Sequence, residues 1–540
     1  MGTVLRRIKM SVLAGMKTNA ARDVIDVDGS FLTIEDVTRV ISDPTTTIGL
    51  TSNALKKMRA HRDFLLASAK KQAIYGVNTG FGPMVTHIIG ANDTSELQYN
   101  LLRGHAMGVG EPINARFVLS AMTIRLNTLA KGNSATSPEL VQVLAQCINH
   151  RITAIVPEHG AVGTSGDLVQ LAHIALPLIG EGEVMYRGKR QQASAALADA
   201  GIQPHTLGPK EGLSLINGTS VMTGIGAVLI PEASRALSLA ARTGALAFEL
   251  VHGFTDVISP TLHSLRPHKA QSRIARALRD LTNTSRLLSQ RETSAQKVQI
   301  GDKTHVTDIL LQEVYSLRCI PQILGPILDT LQHTKNTIAI EINSVTDNPV
   351  VDLPGKRFLH GGNFHGDYVA VALDQLKAAL VKMTMLSERR TNFFLNKNIN
   401  RTLSPFLNLK TPGLTMGLQG LQFVATSTTA QSQSLGFPHS LHSISTNGDN
   451  QDIVSMGTDA ALLTAKVLDN AYIVLAIELV ALSQAAALLG VERALSRPAQ
   501  QLIDEVRAQV PLVVEDRSLT IELESFIKKL RYDPSFDIIW

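Results

Sequence analysis

At 540 residues, with 44% hydrophobic and 18% charged side chains, the chain has the composition of a globular protein with a large core and excludes an intrinsically disordered one. Its 51 basic and 46 acidic residues leave a formal charge of +5, too dilute over this length to suggest a nucleic-acid groove. Only two cysteines, Cys147 and Cys319, are present, far apart in the chain, which excludes a disulfide framework or a CxxC metal or redox site and suits a reducing cytoplasm.

Residues 1–25 read as a flexible leader: basic residues precede an apolar run too short for a signal-peptide core. Residues 30–70 alternate turns with helix-like segments. "IYGVNTGFGPM", 74–84, has three glycines and a proline and predicts a loop. "SELQYNLLRGHAMGVG", 95–110, returns to helical spacing and stops on glycines. In "AVGTSGDLVQLAHIAL", 161–176, small polar residues precede an apolar helical run, so Ser165 reads locally either as a helix cap or as a residue committed to chemistry. A nucleophile elbow is excluded there, because the GxSxG spacing and a preceding apolar strand are both missing.

Further along, "INGTS", 216–220, sets an amide and hydroxyls between two apolar runs, as in a turn with an Asx contact. Segments 232–252, 365–396 and 457–490 lack breakers; at about 1.5 Å per residue the last two each exceed about 40 Å, the geometry of a large helical bundle. Within the last, "AYIVLAIELVALSQAAALLG" is membrane-like but carries Glu478 in mid-span, so a buried bundle helix is expected. Strand-like alternation is confined to "EVMYRGKRQQ" and "VVDLPGKRFLH". The expected fold is mainly α, a central bundle of long helices with a smaller N-terminal region carrying the loops. The boundaries expected are 26–220 for that region, 221–500 for the bundle and 501–540 for a C-terminal helical segment.

In "LQEVYSLRCIPQILG", 311–325, Gln312, Tyr315 and Arg318 fall at i, i+3 and i+6, along one helical face, where Arg318 needs an anion from the protein or from a substrate. "HGGNFHGDY", 360–368, has two histidines in the wrong register for a helical zinc pair, and no GxGxxG or Walker loop occurs, so neither a metal nor a nucleotide is expected. "STNGDNQDIVSMG", 445–457, is an amide-rich loop ahead of the last long helix.

Together, "IYGVNTGFG", "GTSGDLVQLAH", "INGTS", "VYSLRCIPQILGP", "EINSVTDNP", "HGGNFHGDY" and "NGDNQDIVSMG" resemble the aromatic amino acid ammonia-lyase and aminomutase family, in family order from about residue 30 to 510. The nearest likeness is to bacterial tyrosine ammonia-lyases. The resemblance implies that Thr164, Ser165 and Gly166, with Thr164 replacing the family's usual alanine, cyclise and dehydrate into the electrophile 4-methylideneimidazol-5-one (MIO). It makes Tyr75 the base that removes the β-proton; since a free phenol ionises near pH 10, the site must favour its phenolate. Arg318 would hold the substrate carboxylate, Asn217 and Tyr315 would position the amine and the prosthetic group, and Gln312, Asn348 and Phe364 fall at other site positions. The glycines around Tyr75 would permit a lid. His105 would face the substrate ring, and Gln451 stands where histidine-acting relatives carry glutamate, which favours tyrosine. The family further implies a homotetramer with shared sites. The rival readings are a tyrosine 2,3-aminomutase, a histidine ammonia-lyase and, from another class, an inactive helical scaffold or a basic nucleic-acid-binding protein.

Overall fold

The computed structural model describes residues 23–540, so the expected leader lies outside the described residues apart from its last positions, where Val24 and Ile25 open a short strand. Seven helices carry the core and frame the site: α1 (Thr94–His105), α2 (Ala115–Ala130), α3 (Leu168–Ala175), α4 (Ser220–Leu250), α5 (Ile320–Ile342), α6 (Asp367–Leu395) and α7 (Gly457–Leu489). The fold is mainly α, as expected. Its strands form short peripheral sheets: a parallel pair of Val24–Val27 with Thr47–Leu50, two antiparallel pairs and a three-stranded sheet. The two stretches of strand-like alternation each fold into an antiparallel hairpin, Glu183–Tyr186 with Lys189–Gln192 and Val350–Asp352 with Arg357–Leu359.

The longest helix, α7, has 33 residues and is therefore about 50 Å long. It meets no breaker until Gly490, whose positive φ of 64° lets its N–H turn back to the Ala486 carbonyl and end the helix. Helices α4, α6 and α7 pack on one another, with α2 and α5 against α4. Both α4 and α7 are long and apolar enough to cross a membrane, but 83% and 78% of their most apolar windows are buried inside the protein. One apolar cluster runs from Ile25 to Phe536 and continues across residues 220 and 500.

Helix α4 begins 12 residues before the expected segment, because Pro231 lies inside it rather than before it. A proline inside a helix costs about 3 kcal/mol, and here burial of nearly every side chain of α4 outweighs that local preference. Its glycines have a packing reason. A Cβ on Gly224 would sit 2.7 Å from the Ala121 backbone nitrogen, so α2 and α4 touch backbone to backbone, and the Ser120 hydroxyl donates to the Gly224 carbonyl at 2.9 Å.

Glu478 is fully buried on α7 and receives the equally buried Arg390 guanidinium of α6, with Nη2 to Oε2 at 3.0 Å, and the Ser387 hydroxyl. Two ions moved out of water need each other, and either alone would be an uncompensated buried charge. Glu478→Leu is therefore expected to destabilise the protein by about 3–5 kcal/mol, and adding Arg390→Met to recover most of the loss, as read from urea unfolding midpoints.

Candidate active site

The segment 160–167 does not cap a helix through Ser165. Helix α3 starts at Leu168 with Asp167 in the capping position, and Asp167 turns its side chain to other helices. Its Oδ2 accepts the Val221 and Met222 N–H groups of the first turn of α4, at 2.8 and 3.1 Å, and its Oδ1 accepts the Thr458 hydroxyl from the first turn of α7. Three helix N-termini thus meet at one carboxylate beside Ser165, and their positive ends favour negative charge in this region. Burial pushes the Asp167 carboxyl up to about 6, against the Thr458 hydroxyl, the two N–H groups and Arg125, which pull it down.

The backbone around Ser165 is held tightly. Gly166 has a φ of 73°, and a Cβ there would lie 1.9 Å from the Gly218 carbonyl oxygen, so only glycine fits. Gly218 donates its N–H to the Ser165 carbonyl at 3.1 Å and accepts the Asp167 N–H at 2.8 Å. On the other side Met456 N–H donates to Val162 C=O at 3.1 Å, and the Ser455 hydroxyl donates to Gly163 C=O at 3.2 Å. Among the described residues, neither the Gly166 N–H nor the Thr164 carbonyl makes a hydrogen bond.

A cavity of about 860 Å³ opens over this segment. Nine of the twelve anticipated site residues line it: Tyr75, His105, Thr164, Ser165, Gly166, Asn217, Asn348, Phe364 and Gln451. Tyr75 sits in the expected loop, which Asn78 braces by accepting the Ile74 N–H at 2.7 Å and donating to the Ala69 and Gln72 carbonyls. The Tyr75 phenol oxygen accepts the Gly82 N–H at 3.1 Å, a donor that stabilises negative charge on that oxygen. His105, at the end of α1, must carry its proton on Nδ1, because that atom meets the Leu101 carbonyl at 2.8 Å and a carbonyl can only accept. Its Nε2 is left as an acceptor in the neutral ring. The Gln451 amide donates from Nε2 to Ser165 Oγ at 3.3 Å and accepts the Thr446 hydroxyl at 3.1 Å.

Gln312, Tyr315 and Arg318 are not brought to this cavity. Nor do they share a helix: only Tyr315–Arg318 is helical, and Val314 before it is extended. Glu313 is the cause. Its carboxylate is buried, accepting the Phe254 N–H at 2.6 Å and facing Arg291 at 3.4 Å, which draws the strand of chain before Tyr315 away from a helical path. Tyr315 is 68% exposed, with the Arg318 guanidinium 4.4 Å from its ring centre. Sequence reading also missed cavity residues. Phe81 and Gly82 lie in the glycine loop already singled out, and Asn447 and Asn450 in the amide-rich loop, so loop composition was the available signal.

Residues 32–508 match the family model described as aromatic amino acid lyase. The chain belongs to the aromatic amino acid lyase family. This lyase is 39% identical over 504 residues to a histidine ammonia-lyase of Geobacillus thermodenitrificans, covering 93% of this chain and 96% of that one. It is 38% identical over 519 residues to a tyrosine ammonia-lyase of Cupriavidus metallidurans, covering 95% and 97%. The crystal structure of a tyrosine aminomutase from Streptomyces globisporus superposes with a TM-score of 0.90 at 37% identity over 95% of this chain and 97% of that one. The lyase is thus a carbon–nitrogen lyase of a family that holds ammonia-lyases and aminomutases.

The raised Asp167 carboxyl has a consequence for its stability. With a folded value of about 6 and an unfolded value near 3.8, the folded state holds the extra proton between them. The contribution of this group is complete below about pH 4 and is lost as pH rises through about 6. Asp167→Asn is expected to remove a fall of up to about 3 kcal/mol between those limits, as measured by the difference between wild-type and variant unfolding free energies across that window.

Proposed function

We propose that this lyase is a tyrosine ammonia-lyase, converting L-tyrosine to trans-p-hydroxycinnamate (4-coumarate) and ammonia with an MIO group made from Thr164, Ser165 and Gly166. The observation that carries the choice of tyrosine is His105: its Nδ1–H is taken by the Leu101 carbonyl, which leaves Nε2 on the cavity wall to accept a phenol O–H. Gln451 is neutral and its amide oxygen is taken by the Thr446 hydroxyl, so it offers an imidazolium ring no charge.

The residues present fit MIO. Its formation joins the Gly166 nitrogen to the Thr164 carbonyl carbon, and those two groups are the ones free of hydrogen bonds, while Gly218 holds the Ser165 carbonyl and the Asp167 N–H on either side. The positive φ of Gly166 and the lack of room for a Cβ suit a backbone bent sharply enough to close a ring. When formed, the group supplies an electrophile that makes the substrate amine a better leaving group. Tyr75 removes the β-proton as its phenolate, and the Gly82 N–H steadies the negative charge that the phenol oxygen carries before it takes the proton. Asn217 holds the amine, and Asn348 and Phe364 complete the wall around the substrate.

The working unit is a homotetramer in which neighbouring copies supply Gln312, Tyr315 and Arg318, with Arg318 binding the substrate carboxylate in bidentate fashion and Tyr315 helping to place the amine. The exposure of Tyr315 and the absence of all three from the cavity of their own chain support this. So does the helix Gln419–Leu435, which leaves Phe423 64% exposed. The two unpaired cysteines support a cytoplasmic enzyme, and no nucleic acid or membrane takes part.

A specific feature favours a second reading: the Asp452 carboxylate also borders the cavity and would suit the imidazole of a histidine substrate. Product analysis separates the readings. L-Tyrosine is expected to yield 4-coumarate; β-tyrosine as the main product would make the enzyme an aminomutase, and efficient release of urocanate from histidine would make it a histidine ammonia-lyase. The tryptic peptide 152–187 is expected to be lighter than its sequence mass by two water molecules, and Ser165→Ala to restore the full mass and abolish deamination. His105→Phe is expected to lower the preference for tyrosine over phenylalanine about 10- to 100-fold in kcat/KM, the cost of a lost buried hydrogen bond.

A further inference from the structure

Behind the cavity wall lies an ion pair that the proposed reaction does not use. Lys210 Nζ stands 2.7 Å from Asp347 Oδ2, and both side chains are wholly buried. The other Nζ contacts are the Ser134 carbonyl and the Ser214 hydroxyl, each at 3.1 Å. Neither Lys210 nor Asp347 lines the cavity. A buried pair of this kind contributes little net stability, since desolvation of the ions offsets their attraction. Lys210 also holds a left-handed φ of 68°, which a side-chain-bearing residue adopts only at a cost.

What the pair does reach is Asn217. Asp347 Oδ1 accepts Asn217 Nδ2–H at 3.1 Å, and the second hydrogen of that amide goes to the Asn348 carbonyl at 3.0 Å. Both partners can only accept, so the amide nitrogen must face them and the amide cannot flip. Asn217 Oδ1 is then a buried acceptor without a partner, on a residue that lines the cavity. A buried acceptor left unpaired is costly, and that cost is relieved when a ligand brings a donor.

We infer that Lys210 and Asp347 are positioning residues: the pair keeps the Asp347 carboxylate against the Asn217 amide, so that Asn217 Oδ1 is held out as the acceptor for an N–H of the substrate's amine. This rests on the reading that the cavity takes an aromatic α-amino acid. Asp347→Asn replaces an acceptor-only group with an amide that can offer N–H, so only the Asn348 carbonyl still fixes the Asn217 amide, and orientations that turn its N–H groups toward the amine, which repels them, become accessible.

The test compares two ligands that differ only in the amine, L-tyrosine and 3-(4-hydroxyphenyl)propionate, by calorimetric titration of the full-length chain carrying Ser165→Ala so that nothing turns over. Adding Asp347→Asn is expected to weaken L-tyrosine about tenfold or more, a buried hydrogen bond's worth, and to leave the propionate within about twofold. Equal weakening of both ligands, or of neither, overturns the inference. The double variant Lys210→Met/Asp347→Asn carries no unpaired buried charge and serves where the single one unfolds; the same amine-selective loss is expected, and its absence overturns the inference equally. If the Ser165→Ala chain binds neither ligand, the reading of the cavity falls and this assignment with it, whereas binding without amine selectivity on mutation removes this assignment alone.

Discussion

The Asp167 carboxylate is the point on which the site depends. It follows Ser165 directly, and its oxygens are bonded by the first turns of α4 and α7 while its own residue begins α3. Helix N-termini carry unpaired N–H groups and a partial positive charge, and a single acceptor that takes two such N–H groups from α4 and a first-turn hydroxyl from α7 sets the distance between the two helices. The charge on Asp167 is offset by Arg125, itself buried and pushed down to about 10, which also donates to the Asn217 carbonyl at 2.9 Å. Helices of 31 and 33 residues give that junction its rigidity, since neither can shift its first turn without moving its buried length. A surface loop could not hold Ser165 so firmly.

Buried charge recurs where distant segments meet. Arg390 with Glu478 joins α6 to α7 in the middle of the bundle, and Lys210 with Asp347 joins the turn before "INGTS" to the turn after α5. The apolar surroundings that make each ion costly alone also make its partner indispensable. In the first case the pair fixes how two long apolar helices register, which uniform packing of Ala and Leu would specify poorly. In the second it reaches the cavity through one amide.

The parts of this architecture that depend on local chemistry were legible in the residues. The glycines and proline of 74–84 announced a loop, the breaker-free run 457–490 a long helix, and seven motifs in order a family with nine of its site positions on one cavity wall. What depends on distant partners was not. The breaker-free segment 232–252 starts just after Pro231, whose cost is local, whereas the burial that carries α4 through that proline comes from α2, α6 and α7. The spacing of Gln312, Tyr315 and Arg318 suits a helix, but Glu313 between them is pulled to Phe254 and Arg291, at separations of 59 and 22 residues. Glu478 was visible as an interruption of an apolar run, yet its partner Arg390 lies 88 residues earlier, and Asp347 is 137 residues from Lys210. Periodicity has no means of pairing such positions.

The crossing of Gly166 and Gly218 has a bearing on how this chain can change over generations. A Cβ on Gly166 would meet the Gly218 carbonyl, and one on Gly218 would come within 2.4 Å of both Arg125 Nη1 and the Thr346 carbonyl. Gly166 forbids a side chain because of the Gly218 backbone and Gly218 because of Arg125 and Thr346, so no single replacement at either is neutral and no change of side chain at the other makes room.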